Sequence, residues 1–184
     1  TTLEPGSGMT IGTDQGPLAD WPIRVTADTP PTITWAAPPD ATDRGYLRLK
    51  AEAADDYGIK QIDAEIVRTD AAVKGAEPLA LAFPLPSRAP KKYRLRQVRD
   101  FTAHLWAGRD VRLQLIARDV AGQSARSDAV DLVLPERAFL HPTARAIVSE
   151  RKKLADPTPA IRAEVSAGLD VIGRASQHFG HDTV

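Results

Sequence analysis

Three aspartates stand where clustered carboxylates could bind a cation. Asp55 and Asp56 lie in the sequence DDYG, and Asp119 lies in ARDVAGQS. Calcium takes about six or more oxygen ligands, whereas a lone aspartate also favours a turn because its carboxylate bonds to the local backbone. The turn explanation needs no ion. We therefore predict structural turns and no metal site, and keep Asp55, Asp56 and Asp119 as calcium candidates.

The histidines do not complete a catalytic or metal-binding motif. His178 and His181, in HFGH, have a spacing that could place both rings on one helical face, but Gly180 weakens a helix there and no carboxylate-rich motif accompanies them. His104, in TAHLWAG, has neither a nucleophile motif nor a paired acid nearby, so we expect it to pack beside Trp106.

Small hydroxyls also occur close together without the partners that catalysis requires. Ser124, Ser127 and Asp128 fall within one predicted hairpin and lack a general base. Because the sequence offers no acid–base pair, activated nucleophile or metal cluster, we predict that the chain is not an enzyme and uses no cofactor.

One stretch is locally basic: APKKYRLRQVR, residues 89–99. On a strand, Lys92, Arg94 and Arg96 fall on one face, opposite Tyr93 and Leu95. A solvated strand face is the simplest explanation. The alternative is a docking patch for an acidic partner or for lipid headgroups.

Composition limits the classes of protein to which the chain could belong. Its 184 residues are 42% apolar, with 24 basic and 24 acidic side chains, so no overall charge attracts nucleic acid and we predict no such partner. No stretch approaches the roughly 18 consecutive apolar residues of a membrane span. Fifteen prolines and twelve glycines suit many short strands joined by turns.

Alternation of apolar and polar residues predicts the elements that position these side chains. Leu47, Leu49, Ala51 and Ala53 alternate with charged residues, and about seven such segments follow one another between residues 29 and 136. In ARDVAGQSARSDAV, residues 119–123 are expected to turn a hairpin around Gly122. This pattern predicts a mainly β fold, an immunoglobulin-like antiparallel β-sandwich.

The two ends of the chain are predicted to differ from the sandwich. Residues 1–28 are expected to be a flexible leader, with a strand from Trp21 to Ala27 that could belong to an upstream domain. Residues 137–184 are expected to form a C-terminal α-helical hairpin. Its helices start near His141 and Thr158, on either side of ADPTP, and the apolar stripe of the second runs through Val165 and Leu169.

Several motifs resemble known bacterial sequences when they are taken in order. ARDVAGQS is similar to the turn between the last two strands of bacterial immunoglobulin-like domains. DTPPTI, DDYGI, DFTAHLWAG and LPERAFLHPTARAIVSERKKLA together resemble an uncharacterised family of large alphaproteobacterial proteins, a domain of unknown function. The resemblance covers about residues 21–172. It implies a membrane-anchored envelope protein with immunoglobulin-like domains, and it assigns no catalytic residue.

These observations favour a non-catalytic module of the cell envelope, either a structural spacer or a protein–protein interaction domain. We expect it on the periplasmic side of the inner membrane, with an envelope protein of unknown identity as its partner. The chain begins with Thr1, so we expect it to be part of a longer protein whose membrane anchor lies outside this segment. The alternatives are a carbohydrate- or peptidoglycan-binding module and a calcium-dependent adhesion module; Trp21, Trp35 and Trp106 all occupy apolar phases, which disfavours the former.

Overall fold

Ten strands and two helices make up the part of the chain that the computed structural model describes, residues 8–22, 26–70, 77–86 and 88–174. The predicted fold class, mainly β with a C-terminal helical hairpin, is confirmed. The elements are β1 (Gly8–Thr13), β2 (Gly16–Pro22), β3 (Thr32–Ala41), β4 (Leu47–Ala54), β5 (Ile59–Arg68), β6 (Leu79–Phe83), β7 (Lys92–Arg99), β8 (Asp110–Asp119), β9 (Ser124–Arg126), β10 (Val130–Val133), α1 (Pro142–Lys153) and α2 (Pro159–Arg174).

Strands β3 to β10 form two antiparallel sheets. One has the order β3-β4-β7, and the other has the order β10-β8-β5-β6, with β9 also paired to β8. In the same order within each sheet, these strands correspond to A, B and E of one immunoglobulin sheet and to G, F, C and C′ of the other. The predicted sandwich is therefore confirmed.

The core lies between the sheets and is filled by the apolar phase of each strand. Leu47, Leu49, Ile62, Leu113 and Leu115 are fully buried. Each alternates with exposed or half-buried residues, as the sequence pattern predicts. Burying one such leucine or isoleucine contributes about 1.5–3 kcal/mol. Burial of these alternating apolar side chains is therefore also the main source of stability.

The predicted hairpin is present, but its second strand is divided. Ala117 pairs with Ala125 across the turn, and Gly122 adopts a φ of 93° there. Beyond the turn, Ser127 exchanges backbone and side-chain hydrogen bonds with Leu115, whereas Val130 pairs with Leu113. Three residues thus span two on β8, which is a β-bulge. The bulge separates β9 from β10, where the alternation predicts one continuous strand.

The N-terminal segment differs from the predicted flexible leader. Residues 8–22 form a hairpin, β1-β2, in which Met9 lies opposite Trp21. The predicted strand from Trp21 to Ala27 is displaced toward the N terminus, since β2 begins at Gly16 and ends at Pro22; Ile23 and Val25 lie outside the described residues. Trp21 is 46% exposed, contrary to its apolar phase, because β1 alone covers its face poorly.

The two helices begin where the sequence predicts, and each has a capping side chain. The His141 ring accepts a hydrogen bond from the Thr143 N–H before α1, and the Thr158 hydroxyl accepts one from the Ile161 N–H before α2. Of the predicted stripe, Val165 is buried while Leu169 remains 43% exposed. Neither helix, among the residues described, combines the length and apolar character needed to cross a bilayer.

A buried arginine joins the helical hairpin to the sandwich. Arg68, whose side chain is 2% exposed, donates two hydrogen bonds each to the carboxylates of Asp70 and Asp156. These carboxylates raise the pKa of Arg68, Asp156 foremost, and the hydrogen bonds from Arg68 lower the pKa of Asp70. Arg109 reinforces the junction, because it donates to the Lys152 carbonyl at the end of α1.

Candidate functional site

The predicted basic residues lie together on the outer face of the three-stranded sheet. Lys92, Arg94 and Arg96 are exposed along β7, whereas Leu95 is 1% exposed and packs in the core. The strand alternation that the sequence showed therefore separates a charged outer face from an apolar inner face. We call this outer surface of β3-β4-β7 the basic face.

The neighbouring strand extends the basic face. Lys50 is directly opposite Arg96, and Glu52 is opposite Arg94, from which it accepts a hydrogen bond of 3.0 Å. The face has more basic than acidic side chains, five against two, according to the strand register: Arg48, Lys50, Lys92, Arg94 and Arg96 against Asp40 and Glu52. An anionic group approaching this sheet therefore meets a positive field.

A shallow groove runs along one end of the basic face. Its lining includes Thr32 and Thr34 of β3, Glu52 of β4 and Lys92 and Arg94 of β7, and its volume is about 550 Å³. Among the described residues, β7 pairs only with β4, so β7 is an edge strand of its sheet. Edge strands present unpaired backbone groups to a partner chain.

A second cluster forms where the sandwich begins. Carboxylate oxygens of Asp28, Asp55 and Asp56 lie within 4.8 Å of one another. Of the three calcium candidates, the structure thus brings together Asp55 and Asp56, adds Asp28, and leaves Asp119 outside this group. The Asp119 carboxylate instead accepts a hydrogen bond from the Gln123 N–H, as a turn residue does.

Sequence reasoning missed Asp28 because its partners are 27 and 28 positions away. The signal is the register of β3 and β4: Thr32 pairs with Ala54, so the residues that precede β3 meet the residues that follow β4. Local pattern cannot supply that register, since it depends on how two strands align.

Two of the residues considered for catalysis, His104 and Ser127, have structural partners. The ring of His104 accepts a hydrogen bond from the Trp106 N–H and makes edge contacts with Phe101 and Trp106, with centroids 6.0 and 5.4 Å apart. Ser127 holds the bulge. Asp128 lies within the bulge and Ser124 begins β9, whereas His178 and His181 lie outside the described residues.

We expect His104 to make folding sensitive to mildly acidic pH. Burial lowers the pKa of His104 from its usual 6.5, because the charged ring is poorly solvated. Below pH about 6.5 the unfolded chain then binds more protons than the folded chain, so stability falls as pH falls and levels off below the lowered pKa. We expect His104→Asn, which retains an acceptor for the Trp106 N–H, to flatten the melting temperature between pH 7 and 5. An unchanged slope in that variant would assign the pH dependence to other groups.

Two of the three tryptophans pack against the core, and the exposed aromatic residues are far apart in the sequence. Trp35 and Trp106 are partly buried against the core, and the Trp35 ring N–H donates to the Asp128 carbonyl in the bulge. Among the described residues, the exposed aromatics are Trp21 in β2, Tyr57 in the β4–β5 turn and Phe139 before α1. No strand described here carries two of these exposed rings, so the structure offers no aromatic row along a strand for a sugar.

The fold and the surface define a class of protein: an immunoglobulin-like domain that has a basic sheet face and carries a helical hairpin after its last strand. Within that class, the chain belongs to the family described as "Domain of unknown function (DUF4175)", which matches residues 1–184. No curated protein matches the chain.

Proposed function

We propose that this chain is a non-catalytic module that binds an acidic segment of another envelope protein through its basic face. The larger setting of the proposal is a membrane-anchored protein, with this module on the periplasmic side of the inner membrane. Family resemblance supports that setting, and the surface chemistry supports the binding role. The same rigid sandwich would also act as a spacer between the anchor and the bound partner.

The observation that carries the proposal is the outward placement of Lys50, Lys92, Arg94 and Arg96 on one sheet. Only Arg94 among these four makes an ion pair within the described chain, with Glu52, and both side chains of that pair are more than half exposed. Exposed pairs of this kind are weak. The basic groups are therefore available to an anionic partner at little cost.

Two structural facts favour binding over catalysis. The sandwich interior is filled by apolar side chains, and His104 is engaged by aromatic neighbours and a backbone N–H. A protein partner is favoured over lipid headgroups because the basic residues border the edge of β7 that pairs with no other described strand, and an extended peptide can add to such an edge.

Site-specific photocrosslinking of the full-length protein in its native envelope tests the proposal. A photoreactive residue at Arg96 is expected to capture a protein whose crosslinked peptide is rich in Asp and Glu. The matched control is Arg112, an exposed arginine on the other sheet. Charge reversal of the neighbours, Lys92→Glu with Arg94→Glu, should reduce the yield at Arg96 about tenfold, since each lost contact costs about 0.5–1 kcal/mol and 1.4 kcal/mol is a factor of ten.

Two outcomes count against the proposal. Equal yields at Arg96 and Arg112 would show that the basic face is not a preferred surface. Adducts to phospholipid instead of protein at Arg96 would replace the protein partner with the membrane surface. The charge-reversed variant is expected to fold, because both substituted side chains are exposed. Circular dichroism checks this.

A further inference from the structure

The aspartate cluster at the start of the sandwich joins two distant segments of the chain. Asp28 precedes β3, while Asp55 and Asp56 form the turn between β4 and β5. One carboxylate oxygen from each lies within 4.8 Å of the others. Carboxylates this close repel one another unless a proton or a cation lies between them.

Each of the three carboxylates is held in position by one of its oxygens. Asp55 Oδ2 accepts from the Tyr57 and Gly58 N–H groups. Asp56 Oδ1 accepts from the Thr29 hydroxyl at 2.9 Å. Asp28 Oδ2 accepts from the Gln123 side-chain amide at 2.8 Å. These hydrogen bonds therefore use one oxygen of each carboxylate and leave the second available.

The remaining oxygens of two of these carboxylates are buried without a donor. Asp55 is 8% exposed, and its Oδ1 accepts no hydrogen bond from any described residue; Asp28 Oδ1 is likewise buried and without a donor among those residues. Within the described ranges, no Lys or Arg forms an ion pair with any of the three aspartates. A buried carboxylate oxygen without a donor is unfavourable, so this arrangement calls for a positive ligand.

We propose that Asp28, Asp55 and Asp56 bind a divalent cation, Ca²⁺. The donor set consists only of oxygens, which suits a hard cation. Ca²⁺ fits better than Mg²⁺ because it accepts irregular geometry, whereas Mg²⁺ requires a near-ideal octahedron. Asp56 is exposed, so water can complete the coordination on that side.

Asp119 supports the site from the neighbouring turn. Its Oδ1 accepts from the Gln123 N–H, and the side chain of the same glutamine donates to Asp28. Asp119 is thus a positioning residue. The bound cation would fasten the segment that precedes β3 to the β4–β5 turn, which makes the path of the chain into the sandwich dependent on Ca²⁺. This inference is independent of the basic face.

Calcium titration of the purified chain, freed of metal with a chelator, tests the site. We expect saturable binding by calorimetry and a rise in melting temperature of about 4 °C at a tenfold excess of Ca²⁺ over its dissociation constant. Asp56→Asn is expected to abolish both signals, yet to fold normally in chelator, because its side chain is exposed and Asn can still accept from Thr29.

Asp43→Asn is the matched control, since Asp43 is an exposed acid in another turn of the sandwich. It should retain the full response to Ca²⁺. The proposal is overturned if the unsubstituted chain shows no saturable Ca²⁺ binding, or if Asp43→Asn loses the response as Asp56→Asn does. Asp28→Asn provides a second variant from the other segment, and a normal response from it would also exclude the three-aspartate site.

Discussion

Replacing Arg68 with alanine is expected to destabilise the folded chain by about 3 kcal/mol. The Arg68 side chain is 2% exposed and satisfies both Asp70 and Asp156, so the substitution leaves two carboxylates without their cation. Breaking a buried ion pair costs about 3–5 kcal/mol. The low end applies because water can reach both carboxylates, which are 22% and 20% exposed.

The location of the damage is as informative as its size. Asp156 follows α1, so loss of Arg68 should release the helical hairpin from the sandwich before the sandwich unfolds. Hydrogen exchange is expected to accelerate around Val165 in α2 while the β5 and β8 amides stay protected. Chemical denaturation measures the total loss.

Arg112→Ala is the control for the Arg68 prediction. Arg112 makes an ion pair of the same two-bonded kind with Asp131, but on the exposed surface, and its removal is expected to have no measurable effect. Arg68→Lys should fall between the two, because lysine retains the charge without the fork of donors. A loss for Arg68→Ala no greater than that for Arg112→Ala would show that the buried network does not hold the hairpin in place.

Gly58→Ala is expected to cost about 3 kcal/mol, through strain and a steric clash together. Gly58 has a φ of 124°, which side-chain-bearing residues rarely adopt. A Cβ placed there would also lie 2.7 Å from the Ala89 carbonyl oxygen, which is backbone and cannot rotate away. The β4–β5 turn would have to move away from the segment that precedes β7.

Gly122→Ala isolates the conformational part of that cost. Gly122 also has a positive φ, 93°, but an added Cβ would meet no atom within 4 Å. Its substitution should therefore cost only about 1–2 kcal/mol. Thermal unfolding of the two variants side by side gives the comparison; if their losses are equal, the contact with Ala89 contributes nothing and strain alone explains both.

The sandwich was predictable because burial on one face imposes a two-residue period. Leu47, Leu49 and Ala51 show that period in the sequence and occupy the core in the structure. The split between β9 and β10 was not predictable. It depends on Ser127 bonding to Leu115 across the strands, and alternation does not record which residues of neighbouring strands face each other.

Arg68 carried a signal in the sequence that went unread. It continues the buried phase of Ile62, Ala64 and Ile66, so a charged residue stands at an inward position of β5. Such a residue needs a buried counter-charge. The identity of that partner could not be inferred, because Asp156 is 88 residues away and lies in the loop between the helices.

The two candidate sites also differ in how far the sequence alone predicts them. Local spacing along one strand was sufficient to place Lys92, Arg94 and Arg96 on a common face, because a strand sends successive side chains to opposite sides whatever its neighbours are. The meeting of Asp28 with Asp55 and Asp56 required the alignment of β3 against β4. Strand geometry repeats locally, so the residue pattern predicts it. Contacts between distant segments form only when the core packs and fixes the register of the strands.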